Sequence, residues 1–179
     1  MESKEHRLQQ LQQQMLTGHC AESRTAVHNS QGRMDKLMAA YWYYVRECTR
    51  KDFPPLPFLR AHFAGGITEP YGGYLDKDGE VVAQRRMAFA GSCHCQFTTT
   101  AYNIHQCWVR HESKLEVRMA DNSHLHIDCF EESQLVLHVA SEHCKAIVRL
   151  YGNAKLTTSG HTECIEVRHM GTPTYEQKQ

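Results

Sequence analysis

The stretch that decides the fold runs from residue 114 to residue 173 and divides into six blocks of ten: KLEVRMADNS, HLHIDCFEES, QLVLHVASEH, CKAIVRLYGN, AKLTTSGHTE and CIEVRHMGTP. In each block, apolar and polar residues alternate and then give way to a small or polar turn. The first apolar positions are Leu115, Leu125, Leu135, Ala146, Leu156 and Ile165. Their partners two residues later are Val117, Ile127, Leu137, Val148, Thr158 and Val167. Alternation with period two places these residues on one face of each strand, so the pattern predicts six short strands with one buried side.

Strands at this spacing fit two architectures. One is a β-solenoid whose coils each contain two strands of about ten residues. The other is an antiparallel meander that closes into a sandwich or small barrel. The repeated turn residues, such as Asp121-Asn122-Ser123 and Gly152-Asn153, favour the solenoid. The sequence therefore predicts an α+β chain in which a helical N-terminal segment precedes a β-repeat half.

The N-terminal part has helical periodicity in two places. Good helix formers fill residues 2–16, where Leu8, Leu11 and Met15 form a narrow apolar stripe. A second helix is predicted from about Met34 to Arg50, and a short one from Phe58 to Phe63.

Composition shifts then set the expected domain limits. Residues 1–66 form the helical segment, within which residues 18–32 read as a polar linker. Residues 67–170 form the β-repeat domain, and residues 171–179 form a polar tail. Within the repeat domain, Asp76-Lys77-Asp78-Gly79 is predicted to be a hairpin turn, because Arg85 stands where a calcium loop needs a glutamate.

Charge and termini limit the class of partner. The 179 residues include 20 Lys+Arg and 20 Asp+Glu, so no net positive charge favours nucleic acid or an anionic membrane. No apolar run is long enough to span a bilayer. The first sixteen residues, MESKEHRLQQLQQQML, contain no apolar signal segment, so we expect reduced cysteines and a location in the cytoplasm or on a virion.

Several stretches resemble a group of uncharacterised proteins from prophages and mobile elements of gut anaerobic bacteria. The similar stretches are DFPPLPFLRAHFAG, EPYGGY, WVRHESKLEVR and LYGNAKLTTSG, within about residues 52–160. The resemblance implies short β-coils and a phage or mobile-element context. It implies no activity.

Two sets of residues are candidate metal ligands. In the first, Cys93, Cys95, His105 and Cys107 would converge on a tetrahedral zinc if their strands were adjacent. Their spacing is not a standard zinc spacing, and the repeat places His105 and Cys107 at inward core positions. We therefore expect no bound metal, with zinc as the alternative.

The second set is His124, His126 and Glu131, which match the H-x-H-x4-E half-motif of cupins. The glycines expected around that half-motif are missing, since Arg118 and His138 stand in their places. The repeat also disperses the three residues over turns and an outward face.

The sequence favours a non-enzymatic structural or protein-interaction module. It contains no nucleophile elbow and no phosphate loop. The alternative is a metal-dependent enzyme or metal-binding domain that uses one of the two ligand sets. Val136 and Ile147 are apolar residues at outward positions, and together they predict one apolar patch. We expect the stripe of Leu8, Leu11 and Met15 from another copy to cover it in a homo-oligomer.

Overall fold

The computed structural model describes residue 25 and residues 27–176. The chain forms two compact units that divide between His62 and Phe63, and each unit is described by itself. The predicted helix over residues 2–16, with Leu8, Leu11 and Met15, lies outside the described residues.

The first unit is helical. Helix α1 (Met34–Arg50) has the predicted bounds, and its buried residues include Leu37, Met38 and Val45 at helical spacing. Helix α2 (Leu56–Phe63) begins two residues before the predicted start. Within the predicted linker, residues 27–29 are helical, and the Ser30 hydroxyl donates to Val27 O at 2.7 Å.

The second unit is the predicted β-solenoid. Its strands are β1 (Gly73–Leu75), β2 (Asp78–Glu80), β3 (Arg86–Ala90), β4 (His94–Thr98), β5 (Ile104–Val109), β6 (Lys114–Met119), β7 (His124–Cys129), β8 (Gln134–Val139), β9 (Lys145–Leu150), β10 (Lys155–Gly160) and β11 (Ile165–His169). Single 3-10 turns occupy Glu69–Tyr71 and Thr162–Cys164. All strand pairs are parallel.

Successive strands alternate between two sheets. The six odd-numbered strands form one sheet in chain order, and the five even-numbered strands form the other. The predicted register is confirmed, since Leu115 pairs with Leu135, and Leu135 with Leu156. Because β1 and β2 lie in different sheets, Asp76-Lys77 is a corner of a coil, and the predicted hairpin is wrong.

The core lies between the sheets and consists of the inward side chains. Leu125, Ile127, Leu137 and Val148 are completely buried. At about 25 cal/mol per Å² of apolar surface, each such side chain stabilises the fold by roughly 1.5–3 kcal/mol. The last coil is different, because β10 and β11 consist mostly of exposed residues.

The corners repeat as regularly as the strands. After each of β3, β5, β7 and β9, one residue takes positive φ: Gly91, His111, Glu131 and Gly152, at +79°, +61°, +61° and +61°. This left-handed conformation turns the chain from one sheet into the other. The corner between β8 and β9 holds one residue more than the corner between β6 and β7, which produces the 21-residue spacings from β7 to β9 and from β8 to β10.

Candidate functional site

The first predicted ligand set is spread over both sheets. Cys95 projects inward from β4 in the five-stranded sheet, whereas His105 and Cys107 project inward from β5 in the six-stranded sheet. Neighbours within one sheet are about twenty residues apart, so residues ten apart lie across the core from each other. Across residues 27–176, the ligand atoms of this set do not gather within reach of one ion. The set is therefore not arranged around one point as a tetrahedral zinc site would be, and zinc binding stays a prediction.

Both ring nitrogens of His105 already have partners. Nδ1 donates to Gln84 O at 2.8 Å, and Nε2 accepts from the Thr100 backbone N–H at 3.2 Å. This pattern fixes a neutral tautomer with the proton on Nδ1. His105 thus serves as a buried connector between two corners.

The inward cysteines are poor nucleophiles. Burial raises the pKa of Cys107 and Cys129 far above the ordinary thiol value. The Cys95 thiol donates a hydrogen bond to the Cys93 sulfur, and this bond, together with burial, raises the pKa of Cys95. The Cys93 pKa is lowered, to about 7, by its hydrogen bond with Cys95. Its sulfur nevertheless has no exposure to solvent and lies 3.2 Å from Ala90 O. Nucleophilic catalysis requires an accessible thiolate, and none of these four residues offers one.

The second ligand set is also not assembled. His124 begins β7, His126 projects from its outer face, and Glu131 lies in the following corner. Glu131 is occupied by Arg110, whose guanidinium donates to it at 2.9 Å, and by the His111 backbone N–H. Within the described part of the chain, the three side chains do not meet at one point. The three residues therefore do not form the ligand arrangement of a cupin half-motif in this structure, and metal binding by them stays a prediction.

A buried polar cluster lies on the outer side of the six-stranded sheet. Asp128 on β7 is only 3% exposed and receives two hydrogen bonds from Arg149 on β9, from Nε at 2.5 Å and from the terminal nitrogen at 3.0 Å. The hydroxyl of Tyr175 donates to Asp128, and Trp108 Nε1 donates to that hydroxyl at 3.0 Å. We call Trp108, Asp128, Arg149 and Tyr175 the tail clasp.

Aromatic rings enclose the tail clasp. Phe130 and Tyr151 stack with centroids 4.7 Å apart, and Tyr175 meets both rings edge-on at 5.2 Å. Burial raises the pKa of Tyr175, and the charge of Asp128 adds to the effect. The residues that follow the last strand are therefore fastened to the middle of the sheet through a neutral phenol.

Sequence reasoning missed the tail clasp, although part of the signal was present. The predicted register already places Trp108, Asp128 and Arg149 side by side at spacings of 20 and 21. An apolar ring, an acid and a base in one outward row suggest a buried ion pair. Tyr175 carried no signal, because it lies in a tail without periodicity.

The outer side of the five-stranded sheet is a second distinctive surface, which we call the polar wall. It consists of the outward side chains of β2, β4, β6, β8 and β10. Its middle row is Glu80, Gln96, Glu116, Val136 and Thr157. Because the rows repeat with the coils, side chains along each row are about 4.8 Å apart.

Contacts between side chains order the polar wall. Glu116 accepts a hydrogen bond from Arg118 at 2.8 Å and lies 3.5 Å from His138. His138 Nδ1 lies 2.5 Å from the Ser159 hydroxyl on the next strand. The wall thus mixes both signs of charge with neutral polar groups.

The predicted apolar patch does not exist as one surface. Val136 lies on β8 in the polar wall, whereas Ile147 lies on β9 in the other sheet. The expected neighbours are nevertheless confirmed, since Val136 pairs with Thr157 and Ile147 with His126. Both residues are half-buried. Whether either binds a partner remains a prediction.

No family model, curated protein or solved structure matches this chain. The similarity to prophage and mobile-element proteins therefore remains a prediction. In the described part of the chain, no helix has both the length and the apolar character needed to cross a membrane.

Proposed function

We propose that the chain is a non-enzymatic protein-interaction module that presents the polar wall to a protein partner. One observation carries this proposal: the cysteine and histidine side chains of the first candidate ligand set are all buried inside the fold. His105 is saturated by hydrogen bonds, and Cys107 is buried between the sheets. The outward groups, by contrast, stand in ordered rows.

A rigid surface suits recognition. Parallel pairing on both sides holds β4, β6 and β8, so the wall between them cannot flex strand by strand. Binding to a preformed surface avoids the entropy cost of ordering it. The mixed charges of the wall favour a protein of complementary pattern over a uniformly charged polymer.

Val136 is the centre of the proposed contact. It is an apolar residue flanked in its row by Glu116 and Thr157, and on its own strand by Gln134 and His138. An apolar centre within a polar rim is the usual anatomy of a protein interface. Truncating or charging a central residue commonly costs more affinity than changing the rim.

A photocrosslinking experiment tests the proposal. A photoreactive amino acid at Gln134, an exposed wall position beside Val136, is expected to capture a discrete protein in an extract of the source cells. Adding Val136→Arg should abolish that product, because the new charge occupies the apolar centre. The matched control carries the crosslinker at Lys145, the exposed first residue of β9 on the other sheet, and should not yield the same product.

Two results would contradict the proposal. One is the same crosslinked product from both positions. The other is a product that survives Val136→Arg while circular dichroism shows an intact fold.

A further inference from the structure

The outer edge of the last strand, β11, has hydrogen-bonding groups that no described strand pairs with. β11 is the end of the six-stranded sheet and pairs on one side only, with β9. Its central residue, Val167, is 40% exposed although it occupies an inward register position beside buried Val148. Such an edge is a template for pairing with another strand.

The hydrogen bonds between β9 and β11 show which backbone N–H and C=O groups of β11 point to the outer edge. In a strand, the N–H and C=O of one residue point to the same side, and successive residues alternate. The Met170 N–H donates to Leu150 O at 3.0 Å, so even-numbered residues face β9. The N–H and C=O groups of Ile165, Val167 and His169 therefore point to the outer edge.

We propose that this edge pairs with the same edge of a second copy, antiparallel, around a two-fold axis at Val167. The outward groups of Val167 would then exchange hydrogen bonds with Val167 of the second copy. Ile165 would pair with His169 of the second copy, and His169 with its Ile165. This arrangement pairs all five residues of β11 in a self-complementary interface.

Charge complementarity selects this register. With Val167 on the axis, Glu166 lies opposite Arg168 of the second copy, and Arg168 lies opposite its Glu166. Only odd-numbered residues have outward groups, so the register can shift only in steps that keep odd residues paired. The two neighbouring registers place Glu166 opposite Glu166, or Arg168 opposite Arg168, and like charges opposite one another destabilise a pair.

Both charged residues are available for this contact. Within one chain, a terminal nitrogen of Arg168 lies 2.5 Å from Glu166 Oε1, and each of the two side chains is 53% exposed. Exposed pairs contribute little to the stability of a single chain, so exchanging them between two chains costs little. The pairing uses an edge separate from the polar wall, so it stands or fails independently of the proposed function.

Sedimentation velocity over micromolar to millimolar concentrations tests the proposal on the full chain. The parent should show a concentration-dependent monomer–dimer equilibrium. Glu166→Arg should weaken the dimer at least tenfold, because it opposes two arginines across the axis. The double variant Glu166→Arg with Arg168→Glu restores the opposite charges and should recover the parent constant.

A backbone variant provides the second arm. Val167→Pro removes an N–H that points away from β9, so it should abolish the dimer while circular dichroism stays unchanged. Unchanged far-UV spectra in both charge variants are the folding control. A parent that remains monomeric up to millimolar concentration overturns the proposal. So does a dimer that Glu166→Arg leaves unaffected, or a charge-swapped double variant that fails to recover.

Discussion

Asp128 and Arg149, 21 residues apart in the sequence, lie side by side on neighbouring parallel strands, and Arg149 Nε is 2.5 Å from Asp128 Oδ1. The carboxylate is buried, whereas the arginine side chain keeps 29% exposure. Two charges in this setting are costly to desolvate, so the pair is a poor source of stability but a strong constraint on register.

Removing only the arginine should therefore destabilise the fold strongly. Arg149→Met leaves Asp128 as a buried, unpaired charge and should lower the free energy of unfolding by about 3 kcal/mol. Asp128→Leu with Arg149→Met should recover most of that loss, because no buried charge remains. Urea unfolding of the two single variants, the double variant and the parent gives the coupling energy. A double variant no more stable than Arg149→Met would contradict this account.

The tail clasp should weaken at alkaline pH. The pKa of Tyr175 is raised in the fold, first by burial and then by the Asp128 charge. A raised pKa means that the neutral phenol contributes its full stability below the unfolded value of about 10, and loses it as pH rises through the folded value. Tyr175→Phe should cost about 1–2 kcal/mol at pH 8, because Trp108 Nε1 loses its acceptor.

The free energies of unfolding of the parent and of Tyr175→Phe should become more similar at alkaline pH. The stability difference between the parent and Tyr175→Phe should shrink as the pH is raised above about 10. Trp108 fluorescence, read in a Trp42→Phe background, reports the clasp directly. A difference that stays constant from pH 8 to pH 11 would show that the pKa of Tyr175 is not raised in the fold.

Two glycines with positive φ, Gly152 in a corner and Gly160 at the end of β10, should respond differently to substitution by alanine. Gly152 has φ of +61°, but an added Cβ would meet no atom closer than 3.5 Å, so Gly152→Ala should cost only the left-handed strain of about 1–2 kcal/mol. Gly160 has φ of +81°, and its Cβ would lie 2.1 Å from Val139 O, so the backbone must also move. Thermal melts should place Gly160→Ala clearly below Gly152→Ala. The reverse order would refute this account of the two backbone positions.

Thiol labelling should separate two cysteines. Cys164 is partly exposed, and Cys107 is buried in the core. Burial raises the pKa of both thiols. Under native conditions, Cys164→Ser should remove one fast-reacting equivalent of maleimide, whereas Cys107→Ser should leave the fast phase unchanged. Loss of a fast equivalent from Cys107→Ser would mean that the core opens readily.

The register of the repeat could be read from the sequence because it depends on local alternation. Leu115, Leu125 and Leu135 alternate with polar residues, and a buried face specifies its register strongly. The placement of Val136 and Ile147 failed for a related reason. Each was correctly assigned an outward position, but consecutive strands in a two-strand coil face opposite directions.

The candidate surfaces were harder to predict because they depend on contacts between residues that are far apart in the sequence. Nothing near Tyr175 in the sequence shows that it reaches Asp128, 47 residues earlier. The cysteine and histidine set led to the opposite error, because the sequence suggested a cluster that the fold does not assemble. Cys95 and His105 have ligand chemistry, but their spacing of ten residues places them in different sheets.

The tail clasp changes how the repeat should come apart. Stacked repeats interact only with their neighbours, so an end coil with few buried residues ordinarily frays first. Here Tyr175, beyond β11, is anchored to Asp128 on β7, so β11 lies between its pairing with β9 and this anchor. Releasing the last coil therefore requires breaking contacts in the interior of the stack. The clasp should make the terminal coil open together with the whole β unit, so its hydrogen-bonded amide protons should exchange at the slow, global rate.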